Sequence, residues 1–353
     1  MADDSWRVPK PVQELAAGLQ QAPPSRYVQR EQDRPGGLLL AADMPEPIPV
    51  VDLSRLPSDA GEAAKLRSAL ATWGLVIVTN HGVEAYVVDG LTEAAREFFR
   101  QPMEEKLKCS NLVEGKRFRL EGYGNDPVMA QDQILDWNDR LHLNMEPEEH
   151  RDLAQWPQHP EPFRDLMLKY ASKIKTVRDN ILRAMAEILE LDEDYFISQM
   201  GDKAEAVARF NYYPPCPMPE LVFGLKPHTD GSLLTVVLLD RDVGGLQVQR
   251  DGVWFNVPSI PDTLLINMGD SMEIMCNGIF KSPVHRVVTN ADKERMSLAM
   301  FYGVGSDKVL EPAPGLLDEK RPARYRRITV KDFAAGLHEH FSKGTKIMET
   351  LKI

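Results

Sequence analysis

Two imidazoles and a carboxylate, arranged as His228-Thr229-Asp230 and a later His285, are the residues of this chain best suited to hold a metal ion. Arg295 and Ser297 follow them within a short apolar run. Two nitrogens and one oxygen on one face of a divalent iron leave open positions for a co-substrate and O₂. Asp230 lies two residues beyond His228, so in extended backbone both side chains leave the same side. His285 must then be brought in from a distant strand. Arg295 and Ser297 also share one face of a strand. A planar guanidinium grips a carboxylate through two parallel N–H bonds, and a hydroxyl adds a further donor. A metal seat beside a carboxylate clamp implies an iron-dependent oxidation that uses a carboxylate-bearing co-substrate.

Further motifs run along nearly the whole chain. Trp73-Gly74 leads into an apolar run and then Asn80-His81-Gly82-Val83, and Phe98-Phe99 is followed by Pro102, Glu104, Glu105 and Lys106. Asn211-Tyr212-Tyr213-Pro214-Pro215-Cys216 precedes the His-x-Asp pair, and Gly244-Gly245-Leu246-Gln247-Val248 follows it. In this order, with His-x-Asp, His and Arg-x-Ser, the chain resembles the plant 2-oxoglutarate/Fe(II)-dependent dioxygenase family. Arg26-Tyr27-Val28, the run from Asp136 to Leu143 and the closing Leu351-Lys352-Ile353 make it similar, within that family, to rice oxygenases that inactivate triketone (HPPD-inhibitor) herbicides.

The resemblance implies Fe(II) on His228, Asp230 and His285, and 2-oxoglutarate with its far carboxylate on Arg295 and Ser297. It adds hydrogen bonds from Tyr213 and Asn211 to that co-substrate, O₂ as oxidant and ascorbate as reductant. The expected reaction hydroxylates a small organic molecule and releases succinate and CO₂, with demethylation or ring opening as consequences. Cyclic triketone herbicides, related xenobiotics, hormone-like acids and specialised metabolites are the substrates it suggests. Two other classes stay open: a hormone- or metabolite-binding protein on the same fold, and a 2-oxoglutarate oxygenase that modifies a protein.

Substrate contacts are expected from a segment that the family uses as a strand facing its substrate. There, alternation puts Arg140 and His142 on one face and Leu141 and Leu143 on the other. A pair facing the iron would favour an anionic or carbonyl-bearing substrate. Arg209, two residues before Asn211, would add to that basic lining, and Phe301, on the face of Arg295 and Ser297, would form an apolar wall. The remaining histidines read as ordinary core or surface residues. His338 and His340 would point about 200° apart on a helix, which defeats joint coordination.

The elements that must position these groups change character along the chain. Residues 1–45, with six prolines and Gly36-Gly37, read as an irregular arm holding one short helix near Val12–Leu19. Residues 46–200 read as an N-terminal dioxygenase region of strands and helices. Its longest helix, Phe163 to Leu191, carries apolar residues at spacings of three and four, as expected for a helix packed on a sheet. From 201 to 310 short strands bounded by turn residues dominate, and Asp251-Gly252 marks a hairpin. The predicted class is mainly β with flanking helices. By resemblance it is a double-stranded β-helix (jelly roll) core with a helical N-terminal region, and jelly rolls hold ligands in their mouths. Residues 311–353 are expected to form a C-terminal lid, one helix from Val330 to Leu351.

Composition sets the outer limits. The chain has 353 residues, 43% of them hydrophobic, and its 42 basic against 53 acidic residues give a net charge of −11. That balance and the lack of a basic stripe argue against nucleic-acid binding. No window approaches the ~18 apolar residues of a membrane span. Cys109, Cys216 and Cys276 form no Cys-x-x-Cys pair, which suits free thiols in a reducing compartment. The acidic start lacks the regions of a signal peptide. The expected setting is cytoplasmic, with a small-molecule substrate and no obligate protein partner.

Overall fold

The computed structural model describes residues 7–19, 21–35, 44–56, 58–113, 117–343 and 347–353, with the backbone alone for 338 and 341–343. The Gly36-Gly37 pair of the arm lies outside them. In chain order the elements begin with α1 (Val12–Ala17), β1 (Val50–Asp52), α2 (Ala60–Thr72), β2 (Leu75–Thr79), α3 (Ala85–Arg100) and α4 (Met103–Lys106). A small hairpin, β3 (Leu112–Val113) with β4 (Arg117–Phe118), precedes β5 (Gly122–Gly124), β6 (Asp139–Glu146), α5 (Phe163–Ile188) and α6 (Tyr195–Met200). Then come β7 (Ala206–Tyr213), β8 (Phe223–His228), β9 (Leu234–Leu238), β10 (Leu246–Arg250), β11 (Val253–Asn256) and β12 (Leu264–Met268). The chain continues through α7 (Asp270–Met275), β13 (His285–Val288), β14 (Arg295–Tyr302), β15 (Val309–Leu310), β16 (Ile328–Thr329), α8 (Val330–Lys343) and α9 (Met348–Leu351).

Two sheets face each other as in a jelly roll. The larger has the order β1-β2-β12-β9-β14-β7-β6-β5, and the smaller β11-β10-β13-β8. Side chains from both, including Ile77, Tyr213, Val248, Phe255, Leu265 and Val287, pack between them as one apolar cluster. The opposite face of the larger sheet is sealed by α2, α3 and α5, with Tyr170, Ile174, Val177 and Ile181 of α5 fully buried. Period-two alternation divides the strands between these environments. On β14, Met296, Leu298, Met300 and Tyr302 join the helix-side core, which leaves Arg295, Ser297, Ala299 and Phe301 for the interior of the roll. Aromatic contacts tie the helices down: Phe99 stacks on Tyr212 with centroids 4.8 Å apart, and Phe163 meets Phe210 at 5.5 Å.

The Asp-Gly hairpin forms as expected. Asp251 and Gly252 both take positive φ (51° and 80°), and Arg250 pairs with Val253 across the turn. The C-terminal region departs from the single predicted helix: Ile347 stands in a turn between α8 and the short α9. Apolar residues at helical spacing continued the pattern beyond the helix itself. No helix among the described residues is long and apolar enough to cross a membrane.

Candidate active site

The metal seat forms where the two sheets meet at one end of the roll. β13 pairs with β8 so that His285 stands opposite His228, and their rings lie 4.2 Å apart. Asp230 is not on the same strand face as His228. β8 ends at His228, and the irregular backbone after it swings the carboxylate back toward both imidazoles. Asp230 Oδ1 ends 3.8 Å from His228 Nε2 and 3.6 Å from His285 Nε2. These three side chains are the cluster of metal-ligating type found among the described residues, with one donor atom from each lying within 4.8 Å of the others. His81 instead accepts a hydrogen bond at Nδ1 from the Val83 amide.

Hydrogen bonds prepare each ligand. His228 Nδ1 donates to the Lys226 carbonyl (2.8 Å) and His285 Nδ1 to that of Pro283 (3.2 Å), which turns both Nε2 lone pairs inward. Thr235 Oγ1 donates to Asp230 Oδ2 (2.7 Å), as does Asn267 Nδ2 (3.3 Å), so Oδ1 faces the imidazoles. Burial and then the neighbouring His285 push the His228 pKa down, keeping the ring neutral, the form that binds a metal. Behind the turn, Asp270 accepts from Thr229 Oγ1 (3.0 Å) and its own amide donates to the Asp230 carbonyl (2.7 Å). Gly269 lies against Ser232 there, and any Cβ would overlap the Ser232 carbonyl.

A cavity of about 450 Å³ opens beside this seat. Adjacent strands lay its floor in rows. Arg295 pairs with Tyr213; Ser297 with Asn211, which pairs in turn with Arg140; and Ala299 with Arg209, which pairs with His142. Phe301 and Val207 follow in the next row. All the predicted site residues therefore line one cavity. At one end Arg295 is 3% exposed, and its Nε and Nη1 bond to no protein atom. Among the described residues it has no carboxylate partner, and its guanidinium lies over the Tyr213 ring at 5.2 Å. A buried cation without a counter-charge costs several kcal/mol, which a bound carboxylate offsets. The donor set and this guanidinium fit Fe(II) with a dicarboxylate.

The other end is less basic than its sequence suggests. Asp126, from the loop between β5 and β6, accepts from Arg140 Nε (2.7 Å) and grips Arg209 through Nη1 (2.9 Å) and Nη2 (2.7 Å). Burial pushes the Asp126 carboxyl up, but Arg209 and Arg140 outweigh it and hold the group well below the usual carboxylate range. Burial, with Arg140 and Arg209 alongside, holds His142 well below its ordinary 6.5, so its imidazole is neutral. Two arginines and one aspartate leave a single net positive charge. Leu120, Met129, Val207, Phe301 and, from α8, Leu337 make the surrounding walls apolar.

The comparisons agree with this geometry. The profile of the 2OG-Fe(II) oxygenase superfamily matches residues 204–304, and that of the non-haem dioxygenase in morphine synthesis N-terminal region matches 48–159. Protein SRG1 of Arabidopsis thaliana is 36% identical over 94% of this chain and 92% of its own. The chain belongs to the 2OG-Fe(II) oxygenase family. It is a 2-oxoglutarate-dependent dioxygenase that uses Fe(II). The oxygenase is also 36% identical to the oxoglutarate-dependent flavonoid 7-O-demethylase 1 of Ocimum basilicum, over 99% of this chain and 92% of that one. The crystal structure of JOX2 in complex with 2OG, Fe and JA superposes with a TM-score of 0.85, 34% identity and 94% of each chain covered.

Sequence reasoning missed the groups that orient the oxygenase's ligands. Thr235 and Asn267 are buried polar residues in otherwise apolar strands, a signal open to reading. Asp126 carries none, because a loop brings it to the cavity.

Proposed function

We propose that this oxygenase hydroxylates a small, mainly apolar organic molecule that carries one acidic or enolised carbonyl group. The observation that carries this reading is the single net positive charge set by Arg140, Arg209 and Asp126 in an apolar cavity beside the metal seat. A monoanion gains there, whereas a cation does not. Cyclic triketones, which ionise to delocalised enolates, and hormone-like acids both belong to this class; the herbicides among them are the xenobiotic case. Two relatives support the size and polarity: the JOX2 structure is a complex with JA, and the Ocimum basilicum enzyme is named for a flavonoid.

His228, Asp230 and His285 would hold Fe(II). Arg295 and Ser297 would clamp the far carboxylate of 2-oxoglutarate, with Tyr213 and Asn211 adding hydrogen bonds. Fe(II), 2-oxoglutarate and O₂ supply the oxidation of C–H to C–OH, with release of succinate and CO₂. Arg140, Arg209 and neutral His142 would anchor the acidic group, while Phe301 and Leu337 exclude water from the reacting carbon. α8 would thus serve as a lid, and the three buried, unpaired cysteines fit a reducing setting such as the cytosol.

The test is succinate release by purified protein with Fe(II), ascorbate and air, across cyclic triketones and hormone-like acids, each paired with its neutral methyl ether or ester. Stimulation by the acids and not by their neutral partners supports the reading; equal stimulation by both sinks the charge argument.

A further inference from the structure

On the proposed reading, two places in this one cavity would receive acids. Arg295 and Ser297 occupy one end, and Arg209 lies across from Ala299, four residues further along β14. At the rise of a strand their backbone positions are about 13 Å apart. The co-substrate is nevertheless a dianion, and two bare guanidiniums at the far end would compete for it. Asp126 stands between them. Its Oδ1 serves both arginines and its Oδ2 the second N–H of Arg209. Apart from the metal ligand Asp230, it is the one carboxylate among the described residues lining the cavity. Arg140 keeps Nη2 buried and unbonded, so the pair retains capacity for one further acceptor.

We propose that Asp126 is a specificity-determining residue: an internal counter-ion that admits monoanions to the substrate end and keeps dicarboxylates, 2-oxoglutarate and succinate among them, out of it. This rests on the acid-anchoring reading of Arg140 and Arg209. With Asp126 in place a monoanion completes charge balance, and a dianion brings an excess negative charge into a low-dielectric site. Without it, the two guanidiniums match a dianion. Arg209 Nε also donates to Asn211 Oδ1 (2.7 Å), so the same contact steadies a residue of the co-substrate end.

The experiment is calorimetric titration of the Mn(II)-loaded protein, first with 2-oxoglutarate and then, at saturation, with the enolate probe dimedone. Wild type is expected to bind one 2-oxoglutarate per chain and then dimedone. Asp126→Asn removes the charge with little change of shape. It is expected to bind a second 2-oxoglutarate, which dimedone displaces, and to gain about tenfold in affinity for dicarboxylates at that end, the scale of one nearby charge. Asp126→Glu should restore a stoichiometry of one. Two 2-oxoglutarates on wild type, or one on a folded Asp126→Asn protein, would overturn the proposal. Should Asp126→Asn not fold, the wild-type stoichiometry and the failure of succinate to displace dimedone decide the matter. Dimedone that binds neither protein, with the second 2-oxoglutarate present in Asp126→Asn, refutes enolate anchoring and leaves the counter-ion role standing.

Discussion

At the scale of single residues, function rests on a few side chains whose chemistry cannot be replaced by shape. Arg295→Ala removes the one guanidinium at its end of the cavity, so the 2-oxoglutarate KM should rise about 100-fold, the loss of a charge-assisted pair worth ~3 kcal/mol. Steady-state kinetics at saturating organic substrate checks this, and an unchanged KM would move the clamp elsewhere. His142 gives a pH signature. Its folded pKa lies below the free imidazole's, so the unfolded chain binds the extra proton and stability falls as pH drops below about 6.5. His142→Gln should remove on the order of 1 kcal/mol of that acid sensitivity, read from urea unfolding at pH 7 and 5.5. These residues were legible in the sequence because imidazole, carboxylate and guanidinium announce their chemistry by type and spacing. Asp126 was not, since a lone aspartate in a loop looks the same whether it is solvated or clasped by two arginines.

At the scale of elements, the question is what holds each wall in place. α1 begins at Val12, and Asp139 at the head of β6 accepts the amides of Val12 (2.7 Å) and Gln13 (2.9 Å). Tyr123 Oη and Asn125 Nδ2 bond to the same carboxylate, each at 3.3 Å. Asp139→Ala should therefore cost about 3 kcal/mol and release the arm, with tryptic cuts after Arg26 and Arg30 preceding loss of the core. A digestion pattern matching wild type would show that the arm docks by other contacts. Element types were largely readable. The short strands expected between 201 and 310 and the apolar stripe of α5 are present. β8 carries a weaker strand signal although it ends in a metal ligand. Gly224 and Pro227 interrupt its pattern, and Pro227 is tolerated because β8 is the edge strand of its sheet. A C-terminal lid was expected, but the partner of Leu337 was not legible, because α8 meets Gly231 only after the chain has closed around the roll.

For the whole molecule, an excess of acidic residues coexists with a cavity end that carries net positive charge, because a net charge of −11 is a sum over the surface and not a property of the cavity. Family, fold and iron seat follow from motifs that keep their order along the chain. On the proposed reading, substrate choice would depend on how three strands, a loop and α8 converge, which no linear pattern records. The central claim joins the two: an Fe(II)/2-oxoglutarate oxygenase whose cavity selects small acids. The most direct measurement is product analysis under ¹⁸O₂ with the acid and enolate panel, beside a His228→Ala control. The expected result is one labelled oxygen in succinate and one in a hydroxylated panel member, with neither formed by the variant. Labelled succinate from wild type with no labelled organic product, for every acid offered, would contradict it.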